Sequence, residues 1–183
     1  MAVTTSWWRR SFAVVAVVVL ALAAAPATAA SAVPSYGQLQ SGLPPQWCLS
    51  TNVTPYPGFP ANTAAVYTTT CDSGNPYHLW DVGGIDGAHA GQIRNLTAYC
   101  LSMNLQQAPG GNANTRAVYT VACSTTDYQK WYWLDDNRIL NYATGWCLST
   151  NLTPHPGAPN TTHAVFATNC SITAAHLWGW VPA

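Results

Sequence analysis

The sequence predicts an all-β fold made of three copies of one unit around a single shared core. Cysteines recur in pairs with the same spacing of 23 positions: Cys48 and Cys71, Cys100 and Cys123, Cys147 and Cys170. Between the cysteines lie short β-branched and aromatic runs bounded by Pro, Gly and Asn, a pattern typical of strands. The segment after residue 30 has no helical periodicity of useful length. One such unit is too small to bury its own apolar face, so the repeat predicts a common core.

Each copy is predicted to contain four strands. The first precedes the cysteine pair, at 37–40, 91–95 and 137–141. The second begins at the motif C-L-S-x-N, the third covers A-V-Y or A-V-F, and the fourth carries a tryptophan. The repeats cover about 36–83, 91–134 and 137–181. Closure into a barrel would remove exposed strand edges, and a β-propeller is the alternative, although three blades are fewer than usual for it.

The first 30 residues are predicted to be a secretory signal peptide. Arg9 and Arg10 form a positive segment, 12–25 is an apolar run, and Ala-Thr-Ala at 27–29 is a cleavage signal. The apolar run is shorter than the roughly 20 residues that a membrane-spanning helix needs. Arg-Arg-Ser-Phe at 9–12 also resembles a twin-arginine export signal, and ordinary Sec export is the alternative. We therefore expect a secreted protein that leaves the membrane after cleavage.

The amino-acid composition limits the kinds of partner that the protein is expected to bind. After residue 30 the chain has four basic and six acidic side chains, hence a formal net charge of −2, and it has no glutamate. Without a basic patch, nucleic acid is not an expected partner. Six cysteines in an exported chain predict disulfides. Fifteen pairings are open, and the repeat favours the one in which each copy closes on itself. Such a loop stabilises the fold by about 3 kcal/mol.

No motif in the sequence indicates catalysis, a metal or a cofactor. Glycoside hydrolysis needs two carboxylates on either side of a bond, whereas the adjacent Asp135 and Asp136 face opposite ways on a strand. The cysteines lack the close spacing of zinc ligands. We therefore expect a non-catalytic protein that uses no cofactor.

With three cysteine pairs in phase with three tryptophans, the chain resembles the ricin B-type lectins over about residues 36–181. The tripeptide Q-x-W of that family occurs at Gln129-Lys130-Trp131, and His78 and His176 replace the glutamine in the other copies. The resemblance implies a β-trefoil with one disulfide per repeat. We expect Trp80, Trp131 and Trp178 to lie in its core.

The resemblance also implies up to three shallow sugar pockets, each with an aspartate after Cys-Leu and a ring two residues before the second cysteine. This chain has serine at the first position and Thr or Val at the second, namely Ser50, Ser102, Ser149, Thr69, Val121 and Thr168. Because a carboxylate makes hydrogen bonds about twice as strong as a hydroxyl does, we expect millimolar or no affinity for the usual galactose-like ligands.

Other side chains are candidates to replace the lost contacts. A serine and an asparagine two positions apart share a strand face, and the alternative is that the asparagine begins a turn. Tyr56 and His155 lie in proline-rich loops at 54–60 and 153–159, where they would form a rim with Phe59 unless the loops are only rigid connections. The carbohydrate-binding candidates are Ser50, Asn52, Tyr56, Ser102, Asn104, Gln129, Ser149, Asn151 and His155.

Tyr67, Tyr119 and Phe166 lie four residues before the second cysteine of each pair. Their periodic placement beside valine favours a core position over a sugar-stacking one. The sequence thus predicts a secreted, non-catalytic carbohydrate-binding domain with altered pockets and a glycan or polysaccharide as its partner. The alternative is a protein-binding β-trefoil scaffold, such as a secreted protease inhibitor.

Overall fold

Short strands joined by turns make up most of the computed structural model, which describes residues 35–56, 58–155 and 161–183. The predicted signal peptide lies outside these residues. Single-turn 3₁₀ helices at Pro76–His78, Asp127–Gln129 and Ala174–His176 precede the strands that carry the tryptophans. The strands are β1 (Tyr36–Ser41), β2 (Cys48–Pro55), β3 (Ala64–Thr69), β4 (Leu79–Asp81), β5 (Gly91–Gln92), β6 (Arg94–Asn95), β7 (Tyr99–Gln107), β8 (Thr115–Ala122), β9 (Lys130–Trp133), β10 (Ile139–Asn141), β11 (Cys147–Pro154), β12 (His163–Thr168) and β13 (Trp178–Pro182).

The first and last strands of each repeat form a closed barrel. Strand β1 pairs with both β13 and β4, and β4 pairs with β6. Strand β9 pairs with both β5 and β10. A β-bridge between Arg138, which precedes β10, and Leu177, which precedes β13, joins these two strands. The barrel is closed on this side by that single residue pair, since β13 has no strand partner other than β1 among the described residues.

The two middle strands of each repeat form an antiparallel hairpin: β2–β3, β7–β8 and β11–β12. The second strands of the hairpins also pair with one another, β3 with β8, β8 with β12 and β12 with β3. Three hairpins joined in a triangle beside a closed barrel make this fold the predicted β-trefoil.

Each repeat supplies the same set of side chains to one core. Trp80, Trp131 and Trp178 are at most 1% exposed, and each indole N–H donates to the carbonyl oxygen of the leucine after the first cysteine of its repeat, at 2.9 to 3.0 Å. A buried indole therefore adds its large apolar area without leaving its N–H unpaired. Each repeat also supplies buried Leu, Ile and Val at equivalent positions, and Met103 and Ala167 complete the cluster. The equivalent residues are Leu39, Ile93, Ile139, Leu49, Leu101, Leu148, Val66, Val118 and Val165.

Disulfides close each repeat as the spacing predicts. They join Cys48 to Cys71, Cys100 to Cys123 and Cys147 to Cys170, and the described residues include no free cysteine. The same part of the chain has no group of three or more metal-ligating side chains. None of the helices described there is long and apolar enough to cross a membrane.

Candidate functional site

Two grooves lie beside the hairpins, each between one repeat and the loop of the preceding repeat. The third-repeat groove encloses about 540 Å³ between the β11–β12 hairpin and the 108–115 loop of the second repeat. The second-repeat groove encloses about 490 Å³ between the β7–β8 hairpin and Phe59–Thr63 of the first repeat. Each groove thus needs two repeats, which the trefoil symmetry brings together.

An aromatic ring of the hairpin lines each groove. Tyr119 lines the second-repeat groove and Phe166 the third-repeat groove, and both side chains are half-buried. Tyr67 is half-buried at the equivalent position of the first repeat. The sequence favoured the core for these three residues, and that interpretation is wrong. The preceding valine faces the core, and since successive side chains of a strand alternate, the ring faces outward.

Three aromatic residues line the second-repeat groove, namely Phe59, Tyr119 and Tyr128. Phe59 of the first repeat lies 5.7 Å from Tyr119 between ring centroids, with the planes inclined at 39°. The equivalent position beside the third-repeat groove is Gly111, since the amides of Phe59 and Gly111 donate to corresponding carbonyls, those of Tyr56 and Ala108. The two grooves therefore differ in aromatic surface although their backbones correspond.

The asparagines of the C-L-S-x-N motif begin turns in all three repeats. The side-chain oxygens of Asn52, Asn104 and Asn151 accept the backbone N–H two residues later at 2.9 to 3.0 Å, as the alternative interpretation stated. Asn104 and Asn151 still line the two grooves, and the side-chain nitrogen of Asn104 also donates to Oε1 of Gln106 at 3.2 Å. Binding of a sugar by these amides stays a prediction.

The serines of the same motif are almost fully buried. Ser50 donates its hydroxyl to the carbonyl of Thr51, and Ser149 donates to that of Ala175. Ser102 is 2% exposed and contributes to the floor of the second-repeat groove. A serine at this depth is shorter than the aspartate that the family resemblance implies, so it offers a ligand little reach.

Gln129 holds the chain after the second cysteine of its repeat. Its side-chain oxygen accepts from the amide of Ser124 at 2.7 Å, and its side-chain nitrogen donates to the carbonyl of Ala122 at 3.0 Å. In the first repeat, His78 Nδ1 accepts from the amide of Asp72 at 3.1 Å. The amide of Gln129 is thus bonded inside the protein, and a direct sugar contact by this residue stays a prediction.

Both replacement histidines are buried, and burial lowers the pKa of His78 and of His176. The positive charge of Arg138 lowers the pKa of His176 further. Because Nδ1 of His78 accepts an N–H, this ring is neutral in the folded state. The glutamine of Q-x-W is therefore replaced by a side chain that keeps the acceptor but can titrate.

Tyr56 and His155 do not form the exposed rim that the sequence predicts, and this is a correction. They are 2% and 3% exposed, and their ring centroids lie 5.5 Å apart. Burial raises the pKa of the Tyr56 phenol. Residues 57 and 156–160 of the two proline-rich loops lie outside the described part of the chain. The rings pack inward because the hairpins converge there, and their contact with a sugar stays a prediction.

Both grooves have an uncharged lining. Their lining consists of amide, hydroxyl, aromatic and small apolar side chains, with no charged residue among those described. Sequence reasoning did not find the 108–115 loop as a wall of the third-repeat groove. Its only signal is the Pro-Gly that aligns with the proline-rich loop of the first repeat.

No protein-family model and no curated protein matches this sequence. Solved structures do match it. The SDF2-like protein from Arabidopsis thaliana has a TM-score of 0.64 at 15% identity, covering 81% of this chain and 92% of that one. The designed three-fold symmetric protein ThreeFoil has a TM-score of 0.57 at 17% identity, covering 80% and 97%.

A lectin is also among the matching structures. The β-trefoil lectin of the Vibrio vulnificus hemolysin/cytolysin, with N-acetyl-D-lactosamine bound, has a TM-score of 0.53 at 16% identity, covering 82% of this chain and 96% of that one. At such identities the likeness shows the β-trefoil fold. The ricin B-type lectins remain a resemblance that rests on the repeat motifs.

Proposed function

We propose that this protein is a secreted, non-catalytic domain that binds neutral glycans in its two hairpin grooves. The observation that carries the proposal is the lining of the second-repeat groove, where Tyr119 and Phe59 form an aromatic wall and Asn104 adds an amide. Pyranose rings present an apolar face and polar edges. A groove that combines aromatic rings with a few amide and hydroxyl groups suits both.

The absence of charge in the described lining supports a neutral ligand. A sialylated or sulfated sugar would have to leave its negative charge without a cationic partner, which is unfavourable where water is excluded. The sugar-bound lectin among the matching structures supports the general class of ligand. Disulfides in all three repeats support an oxidising, extracellular compartment.

A glycan array with the purified domain, followed by calorimetric titration of the strongest neutral hit, tests the proposal. Tyr119→Ala removes one of the aromatic rings that line the groove and is expected to weaken binding by about tenfold to a hundredfold, the loss of roughly 1.4 to 2.8 kcal/mol of binding free energy.

Tyr132→Ala is the matched control, because Tyr132 is also half-buried but packs against Tyr142 away from both grooves. We expect it to bind like the unmodified protein. No signal on any neutral glycan would overturn the proposal and favour the protein-binding scaffold. Equal losses in Tyr119→Ala and Tyr132→Ala would show that the grooves are not the site.

A further inference from the structure

A third depression lies on the barrel wall, away from the hairpins, where the first strand β1 pairs with the last strand β13. Adjoining cavities of about 380 and 650 Å³ share Gln40, Gly42 and Gln46 in their lining. We name the combined depression the seam groove. Its defining residues are Gln40, Gly42, Gln46, Asn137, Gly179 and Trp180.

The trefoil symmetry supplies two other seams for comparison. The amide of Gly42 donates to the carbonyl of Leu177, as that of Leu96 does to Leu79 and that of Tyr142 to Lys130. Gly42, Leu96 and Tyr142 are therefore equivalent positions. Where the other two seams carry a large side chain, the β1–β13 seam carries none.

A second position shows the same difference. Gly179 lies opposite Gln40 across the β1–β13 ladder, just as Tyr132 lies opposite Leu140 and Asp81 opposite Arg94. At the seam between the second and third repeats, Tyr132 and Tyr142 cover the wall, with ring centroids 5.7 Å apart. Gly179 leaves this part of the β1–β13 wall without a side chain, whereas at Gly42 the backbone of Ala174 occupies the space, 2.9 Å from where a Cβ atom would lie.

The space above this wall is open. A Cβ atom built on Gly179 would meet no other atom within 4 Å, and the residue is exposed. Asn137 lies next to it, because the carbonyl of Asn137 accepts the amide of Trp178. Gly179 thus makes room for a ligand where the fold elsewhere places a side chain.

Three uncharged amides border this space. The side chains of Gln40, Gln46 and Asn137 are partly or fully exposed and make no hydrogen bond with any described residue. Each amide offers two donors and one acceptor. No charged residue is found among the described lining of the seam groove.

We propose that the seam groove is a second saccharide-binding site, which takes a neutral sugar whose hydroxyls pair with the three amides. Strand β1 is paired on both sides, with β13 and with β4, so its backbone offers no edge to which a peptide strand could add. Neutral hydroxyls match uncharged amides, whereas an acidic ligand would find no cation. The proposal does not depend on the hairpin grooves.

Amide-resolved NMR titration with cellohexaose, xylohexaose, mannohexaose, chitohexaose and N-acetyllactosamine tests it. At least one of these probes is expected to shift the backbone amides of Gln40, Gly42 and Gly179. Gly179→Tyr copies Tyr132 into the groove without a clash and is expected to weaken that response by at least about tenfold. Gln40→Leu, which copies Leu140, removes one amide and is expected to weaken it as well.

Tyr119→Ala separates the two proposals, because it alters the second-repeat groove and is expected to leave the seam response unchanged. The proposal is overturned if no probe shifts the seam amides, or if both Gly179→Tyr and Gln40→Leu, folded as judged by their dispersed spectra, respond like the unmodified protein.

Discussion

The core and the hairpin grooves use the threefold repeat in different ways. In the core, equivalent positions carry the same or similar side chains, such as Leu49, Leu101 and Leu148. Beside the grooves, equivalent positions differ, and Phe59 in one loop corresponds to Gly111 in the next. Packing around a common axis requires apolar side chains of similar size at the equivalent positions of every repeat. A ligand contacts one place only, so the residues that bind it are free to differ between repeats.

The largest effect that we expect is on stability, when a tryptophan of the symmetric core is removed. Trp80→Ala, Trp131→Ala and Trp178→Ala each remove a fully buried ring and should each lower the free energy of unfolding by about 3 to 5 kcal/mol. Urea unfolding followed by circular dichroism measures this, and Trp→Phe at the same positions serves if an alanine variant does not fold. A repeat that tolerated the loss would show that the three units do not share one core equally.

A smaller effect, on the pH dependence of stability, is expected from the two histidines that replace the glutamine of Q-x-W. Burial lowers the pKa of His78 and of His176, so each stays neutral to a lower pH in the folded state than in the unfolded state, where a histidine titrates near 6.5. Above about pH 6.5, these histidines are neutral in both the folded and the unfolded state, and they do not lower the free energy of unfolding. As pH falls from about 6.5 through the lowered pKa values, the unfolded state gains protons first, and each histidine costs up to about 1.4 kcal/mol per pH unit.

Urea unfolding at a series of pH values between 4 and 8 checks this. The double variant His78→Gln with His176→Gln restores the intact motif and should flatten the pH dependence. Gln129→His adds a third titrating side chain and should steepen it. Unchanged slopes in both variants would contradict a role for these buried rings.

Sequence reasoning could predict most of the fold. The equal cysteine spacing and the tryptophans in phase with it, such as Trp131, are repeats that can be read from a single sequence. The disulfide pairing followed because a hairpin brings Cys100 to Cys123 within the same repeat. These features need no knowledge of how one repeat contacts the next.

The proposed binding grooves depend on contacts between repeats, and for that reason the sequence did not predict them. The loop at 108–115 becomes a groove wall only when it meets the β11–β12 hairpin. Tyr56 was expected at the surface but is buried, because a neighbouring repeat supplies His155 beside it. Gly42 and Gly179 are 137 positions apart in sequence and meet only because β1 pairs with β13.

The central claim is that outward-facing residues of the hairpins bind the glycan while their inward-facing neighbours hold the fold. Val118 and Tyr119 are adjacent on β8, the first fully buried and the second lining a groove. Calorimetric titration and urea unfolding of Tyr119→Ala and Val118→Ala, measured on the same preparations, test this claim most directly. We expect Tyr119→Ala to lose binding at least about tenfold with a stability change below about 1 kcal/mol. We expect Val118→Ala to lose about 1 to 3 kcal/mol of stability and to keep its affinity while folded. The reverse pattern, with binding lost in Val118→Ala and kept in Tyr119→Ala, would contradict it.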